Sequence, residues 1–153
     1  MTQNDSPVGL ELIRLPPVYV AAFREGWNVA DLQAITREIL AEDTERFIFI
    51  SDVKSIRPAG VLERQKMSST LNEIHQQLAE RMIASIVISD SPIMRGVVKA
   101  VTWLTDFPYP INCFGTAEEA IADANERLQA EGLFCPTFEL RSYFRRAGHS
   151  ASS

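Results

Sequence analysis

The sequence contains few of the side chains on which metal binding and covalent catalysis depend. Its 153 residues include only two cysteines and two histidines. Neither pair has the close spacing, such as His-x-x-x-His or Cys-x-x-Cys, that marks a metal site. The nucleophile elbow, the phosphate-binding loop and the dinucleotide-binding glycine motif are absent as well. We therefore expect no metal, no cofactor and no enzymatic activity.

Long apolar runs are also missing from the sequence. No stretch approaches the roughly 20 residues that a membrane-spanning helix needs, and the polar start does not resemble a signal peptide. The formal net charge of −5 disfavours nucleic-acid binding, which depends on neutralising phosphates. Two cysteines are too few for a disulfide framework, and Cys113 in an apolar segment predicts a buried thiol. We expect a cytoplasmic protein without an integral membrane segment.

The sequence does contain a regular alternation of strand and helix patterns. Amphipathic helical patterns follow Asn28, Gly60, Ser91 and Thr116. The order β-β-α-β-α-β-α-β-α predicts a single α/β domain with a mostly parallel five-stranded sheet, an N-terminal edge strand and about four covering helices. The predicted strands are Leu10 to Leu15, Val18 to Phe23, Phe47 to Ser51, Ile83 to Ser89 and Ile111 to Phe114.

Residues 133–153 are predicted to be a C-terminal extension beyond a domain of residues 8–132. Three arginines alternate there with apolar side chains, which we expect to pack back on the body before a disordered end that begins at Gly148. Docking onto another subunit or partner is the alternative. The apolar side chains are Phe134, Phe138, Leu140, Tyr143 and Phe144.

Residues 47–60 carry the strongest functional signal. An apolar strand stops at Asp52, and a loop with proline and glycine then leads into a long helix. Open α/β sheets place their working residues at this carboxyl edge. We expect Asp52 to cap the loop by accepting backbone N–H groups. Neither His75, in the predicted helix, nor His149, in the extension, is expected to be catalytic.

Several sequence motifs lie on the predicted strands and helices of this α/β order. They are Phe47-Ile-Phe-Ile-Ser-Asp-Val53, the helix after Arg57-Pro58, Ile86-Val-Ile-Ser-Asp90 with Arg95-Gly96, and Pro110-Ile-Asn-Cys-Phe-Gly-Thr-Ala-Glu-Glu-Ala120. Over residues 8–130 the chain resembles the SpoIIAA-like (STAS/SEC14) family of small bacterial proteins, which is related to the STAS anti-sigma-factor antagonists. The resemblance implies a STAS-like domain that acts in signalling by binding a protein partner.

In those antagonists the loop after the third strand carries an Asp-Ser-Ser-Gly pattern, whose second serine is phosphorylated. Here Arg57-Pro58-Ala59-Gly60 lies opposite that pattern, so the glycine matches and the phosphoacceptor is replaced by Ala59. The resemblance thus implies partner binding without phosphorylation at this position. We call the predicted partner-binding surface the docking loop. It consists of Arg57, Pro58, Ala59, Gly60, Leu62, Glu63, Arg64 and Lys66. The alternative is that these residues form a solvent-exposed face that binds no partner.

Two other functions remain open. The lipid-transfer proteins implied by the family name suggest an apolar ligand held between sheet and helices. The edge strand and the extension could instead support a homodimeric scaffold. The candidate lining residues for an apolar ligand are Trp27, Met67, Met94, Trp103 and Phe107.

Overall fold

Five strands form one sheet in the order β1-β2-β3-β4-β5. The computed structural model of the chain describes residues 9–56, 72–74, 76–104 and 108–149. Strand β1 pairs with β2 in antiparallel fashion, and the remaining pairs are parallel. The predicted mostly parallel sheet with an N-terminal edge strand is therefore confirmed. The strands are β1 (Leu10–Leu15), β2 (Val18–Phe23), β3 (Phe47–Asp52), β4 (Met82–Ile88) and β5 (Ile111–Phe114).

In the described part of the chain, four helices alternate with these strands or come after them. Most of their N-terminal caps are the residues that the sequence predicts. Residues 72–74 and 76–78, between β3 and β4, are helical as well. Asn28 and Asp31 form a reciprocal capping box at the start of α1. Thr116 accepts from the Glu119 N–H at the start of α3. The helices are α1 (Val29–Leu40), α2 (Pro92–Leu104), α3 (Ala117–Ala130) and α4 (Thr137–Arg146).

The sheet separates two hydrophobic clusters, because alternate residues of a strand face opposite sides. Ile48 and Ile50 of β3 pack with buried residues of α3 and α4. Phe47 and Phe49 belong to the other cluster, which includes buried residues of α1 and Met94 of α2. Ile74 and Leu78 from the helical residues after β3 join this second cluster. Helices thus cover both faces, as an α/β fold requires.

Helix α4 is not among the helices predicted from the sequence, which assigns no helix to residues 133–153. Leu140 and Phe144, four residues apart, are buried in the cluster with α3. Phe134 and Phe138 are 81% and 77% exposed. The expectation that all these aromatics pack on the body is wrong for these two, because Phe138 lies on the helix face opposite Leu140. The domain boundary at residue 132 stays a prediction.

Candidate functional site

The carboxyl edge of the central strand β3 is organised by Asp52. Its Oδ1 atom accepts the backbone N–H of Lys54 at 3.2 Å, and the Ile56 N–H donates to the Val53 carbonyl at 3.3 Å. These two bonds fold the chain into a turn as it leaves the sheet. The predicted capping role of Asp52 is therefore confirmed, and the turn ends next to the docking loop.

The neighbouring strand β4 ends in a second organised turn. Ser89 is buried, and its Oγ atom accepts the Ser91 N–H at 3.2 Å. Asp90 follows it, with Oδ2 3.9 Å from the Lys54 Nζ atom. This contact joins the turns after β3 and β4. The Asp90 side chain is 70% exposed, so the attraction is screened and contributes little to stability.

The second oxygen of Asp52 contacts a residue 97 positions away. Asp52 Oδ2 lies 2.7 Å from His149 Nε2, and the two side chains are only 11% and 7% exposed. Because a carboxylate can only accept, Nε2 carries the proton and donates it. The sequence predicts a disordered end that begins at Gly148 and includes His149. This expectation is wrong for Gly148 and His149, because backbone hydrogen bonds hold both residues against the end of α4.

The end of α4 explains how His149 reaches the sheet. The Gly148 N–H donates to the Arg145 carbonyl, and the His149 N–H donates to the Phe144 carbonyl at 2.9 Å. Gly148 has a φ of +96°, a conformation that glycine adopts without steric cost. This is a Schellman motif, which reverses the chain at a helix end. The signal in the sequence is two arginines followed shortly by glycine, and the sequence analysis did not use it.

The Asp52–His149 pair lacks the geometry of a catalytic triad within the described part of the chain. His149 Nδ1 is buried and has no hydrogen-bond partner there, so it activates no hydroxyl or thiol. Among the described residues there is also no group of three or more His, Cys, Asp or Glu side chains that could hold a metal ion. The geometry of the pair fits a structural contact.

Two aromatic residues of α4 lie near this contact. The Phe144 ring lies edge-on to the His149 ring, with centroids 5.1 Å apart. Burial raises the pKa of the Tyr143 hydroxyl to about 12, and the negative charges of Glu11 and Asp52 add to the rise. Tyr143 is therefore a neutral phenol next to the Asp52 carboxylate at any physiological pH.

The predicted functional residues divide into those that the structure describes and those that it does not. Met94 is buried in the core and Trp27 packs against Phe23, whereas Trp103 is 89% exposed. Trp103 therefore does not line an enclosed pocket, contrary to the expectation. The predicted residues outside the described part are Arg57, Pro58, Ala59, Gly60, Leu62, Glu63, Arg64, Lys66, Met67, His75 and Phe107.

The thiol of Cys113 is half-buried on β5 rather than fully buried as expected. Burial raises its pKa, and the nearby Arg95 guanidinium opposes that rise. Cys135 is buried, and its pKa is raised by the same cause. A raised pKa lowers the thiolate fraction, so neither side chain has the character of an activated nucleophile.

The sheet order, the helices on both faces and the organised carboxyl edge define an α/β fold of the SpoIIAA-like class. One solved structure to which the chain is similar is an uncharacterised protein of the DUF3478 family with a SpoIIAA-like fold, from Shewanella loihica PV-4. The TM-score is 0.51 at 9% sequence identity, and the match covers 75% of this chain and 91% of that one. This likeness confirms the predicted fold.

No family model matches the chain, and no curated protein matches it. Within the described ranges, no helix combines the length and apolar character needed to cross a bilayer. The fold is thus established by the structural likeness, and the activity has to be argued from the site.

Proposed function

We propose that this chain is a non-enzymatic regulatory module that binds a protein partner through the docking loop. One observation carries the proposal. Asp52, at the end of the central strand, fixes the turn through Lys54 and so directs the chain out of the sheet at its carboxyl edge. Open α/β sheets present binding residues at this edge. The docking loop begins directly after the turn.

The charge of the docking loop indicates the chemistry of the partner. Arg57, Arg64 and Lys66 outnumber the single acid Glu63, whereas the whole chain carries a net charge of −5. A basic segment on an acidic protein favours a partner with an acidic surface, because complementary charges speed encounter and fix orientation. With Ala59 in place of a phosphoacceptor, the proposed binding does not depend on phosphorylation at that position.

The test combines two charge reversals with a matched control. Arg57→Glu with Arg64→Glu should weaken partner binding at least about tenfold, since like charges then face each other. Arg37→Glu with Lys99→Glu makes the same change in net charge on exposed residues of α1 and α2 and should leave binding unchanged. Affinity capture from the native cell identifies the partner, and titration calorimetry with that purified partner gives the dissociation constants.

The melting temperature of both double variants should stay close to that of the parent protein. Equal binding by the two double variants, or loss of the folded state together with loss of binding, would contradict the docking loop as the partner surface.

Self-association is a second candidate, favoured by the exposure of Phe134 and Phe138. Large exposed aromatics often mark an interface. Removing the whole segment after residue 132 would be a poor test, because Leu140 and Phe144 belong to the core. Phe134→Ser with Phe138→Ser removes only the exposed rings. Light scattering should report a smaller mass for this variant if the chain is a homodimer, and equal masses would exclude these rings from the interface.

An apolar ligand is a weaker alternative, because one of its five candidate lining residues, Trp103, is exposed. Native mass spectrometry of gently purified protein decides it. A co-purifying lipid would favour a lipid-binding protein, and a mass without bound ligand would favour the partner-binding module.

A further inference from the structure

We propose that α4 and His149 form a latch on the turn after β3, and that release of His149 from Asp52 loosens this turn and so changes the affinity for the partner. The regulatory part of this inference rests on the proposed function. The latch itself is defined by described residues alone. It connects the segment after α3 to the place where the chain leaves the sheet.

The coupling lies in how Asp52 uses its two oxygens. Oδ1 accepts the Lys54 N–H, and Oδ2 accepts the His149 Nε2–H. One carboxylate therefore fixes both the first turn after β3 and the end of the chain's last helix. If the Asp52 side chain rotates to keep its hydrogen bond to Lys54 or to His149 when that residue moves, its hydrogen bond to the other one weakens. Two segments that are far apart in sequence thus share one anchor.

His149 is held in place by a rigid element. Leu140 and Phe144 anchor α4 in the core, and the Schellman turn at Gly148 points the next residue back toward the sheet. Arg141 adds an exposed ion pair with Glu118 of α3 at 3.1 Å. Displacement of the end of α4 would therefore move the imidazole away from Asp52 as a unit.

The contact is also less stable than its burial suggests. His149 Nδ1 is buried without a hydrogen-bond partner in the described part of the chain, and such an atom lowers the stability of the closed arrangement. Water would satisfy Nδ1 once the side chain is released. An open form, in which the imidazole is solvated, is the second state that such a device requires.

The latch faces the side of the sheet that α3 and α4 cover, whereas Ile74 and Leu78 pack on the other side. His149 therefore acts on the chain that leaves β3 through the turn at Lys54. By linkage, any partner that prefers one form of the turn will shift the latch by the same free energy.

Hydrogen exchange of backbone amides tests the latch without any partner. In His149→Ala, the Lys54 amide should exchange about tenfold faster than in the parent protein, since its acceptor Asp52 is no longer held. Amides in the middle of β2, such as Val20, should not change. The matched control is Arg146→Ala, an exposed residue on the same helix end that does not contact Asp52. It should leave Lys54 unchanged.

Two results would overturn the latch. Unchanged exchange at Lys54 in a folded His149→Ala protein would show that the turn does not depend on His149. An equal acceleration at Lys54 and Val20 would show that His149 only supports global stability. Asp52→Ala provides a second variant, and its effect on Lys54 should not increase further when His149→Ala is added, because His149 acts on Lys54 through the Asp52 carboxylate.

Partner binding separates this inference from the proposed function. Once the partner is identified, His149→Ala should change its dissociation constant at least about threefold, whereas Arg57→Glu with Arg64→Glu should weaken binding at least about tenfold. If faster exchange at Lys54 leaves the dissociation constant unchanged, the regulatory role is wrong. If charge reversal of the docking loop has no effect, the proposed function fails, and the exchange results still decide whether the latch exists.

Discussion

The Tyr19 hydroxyl donates to Glu42 Oε1 at 2.7 Å, although the Tyr19 side chain is fully buried in β2. Thr44 Oγ1 lies 2.8 Å from the same hydroxyl, and Arg14 Nε donates to the other Glu42 oxygen. This network joins β1 and β2 to the residues that follow α1. It lies at the amino end of the parallel strands, opposite the edge that carries Asp52.

Removal of the Tyr19 hydroxyl should destabilise the protein in a pH-dependent way. The hydrogen bond from Tyr19 is the largest cause of the lowered pKa of Glu42, whose ordinary value is 4.5. A lowered folded-state pKa gives stability above pH 4.5 that is lost as the pH falls through the folded value. Tyr19→Phe should therefore lower the free energy of unfolding by about 1–3 kcal/mol at neutral pH and by less in acid. Urea unfolding at several pH values measures this, and an equal loss at every pH would contradict it.

Helix α4 should behave as part of the core. Phe144→Ala should lower the free energy of unfolding by about 3–5 kcal/mol, because it leaves a cavity beneath the helix. Phe138→Ala removes the same ring from an exposed position of the same helix and should change stability by less than about 0.5 kcal/mol. Chemical unfolding of the two variants measures the difference. Similar values would mean that α4 does not pack as described.

Tyr143 should make the protein sensitive to alkali. Its pKa rises from 10.0 to about 12 in the folded state. A raised folded-state pKa gives stability that is complete below pH 10 and is lost as the pH rises toward 12. The Tyr143→Phe variant has no ionisable hydroxyl at this position. Between pH 10 and pH 12 it should therefore lose less stability than the parent protein. Urea unfolding below pH 10 and near pH 12 measures this, and parallel curves for the two proteins would argue against it.

The two thiols should react slowly with an aromatic disulfide reagent at neutral pH, because the thiolate is the reactive form and burial raises both pKa values. Cys113 is more exposed than Cys135 and should react first. Arg95→Gln should slow Cys113 further, since it removes the cation that lowers the pKa of this thiol. Absorbance of the released thiolate gives the rates. Faster reaction of Cys135 than of Cys113 would contradict the burial pattern.

Much of the fold could be predicted because its signals are local. Asn28 directly precedes α1 as expected and forms a capping box with Asp31, and Gly132, with a φ of +75°, lies just beyond the end of α3. Pro16-Pro17 lies between the antiparallel strands β1 and β2 at the edge of the sheet, because proline cannot extend a hydrogen-bonded ladder. Helix α4 was missed because its start has no such signal. Its N-cap residue is Pro136, which makes no side-chain hydrogen bond.

The candidate site could be predicted only in part. The end of an apolar strand followed by a turn identified Asp52, because both features lie within a few residues of each other. His149 could not be assigned to the same site. Its position depends on how α4 packs against the sheet, and nothing near His149 in the sequence encodes a partner 97 residues away.

The sequence by itself determined the strands, most of the helices, the mostly parallel character of the sheet and the end of β3 at Asp52. These follow from hydrophobic periodicity, capping side chains and backbone preferences, which act between near neighbours. Only the tertiary structure decided which face of α4 is buried, that Trp103 is exposed, and that Asp52 divides its carboxylate between Lys54 and His149. The physical reason is that such contacts arise from the packing of whole elements, where small rotations of a helix select which side chains meet.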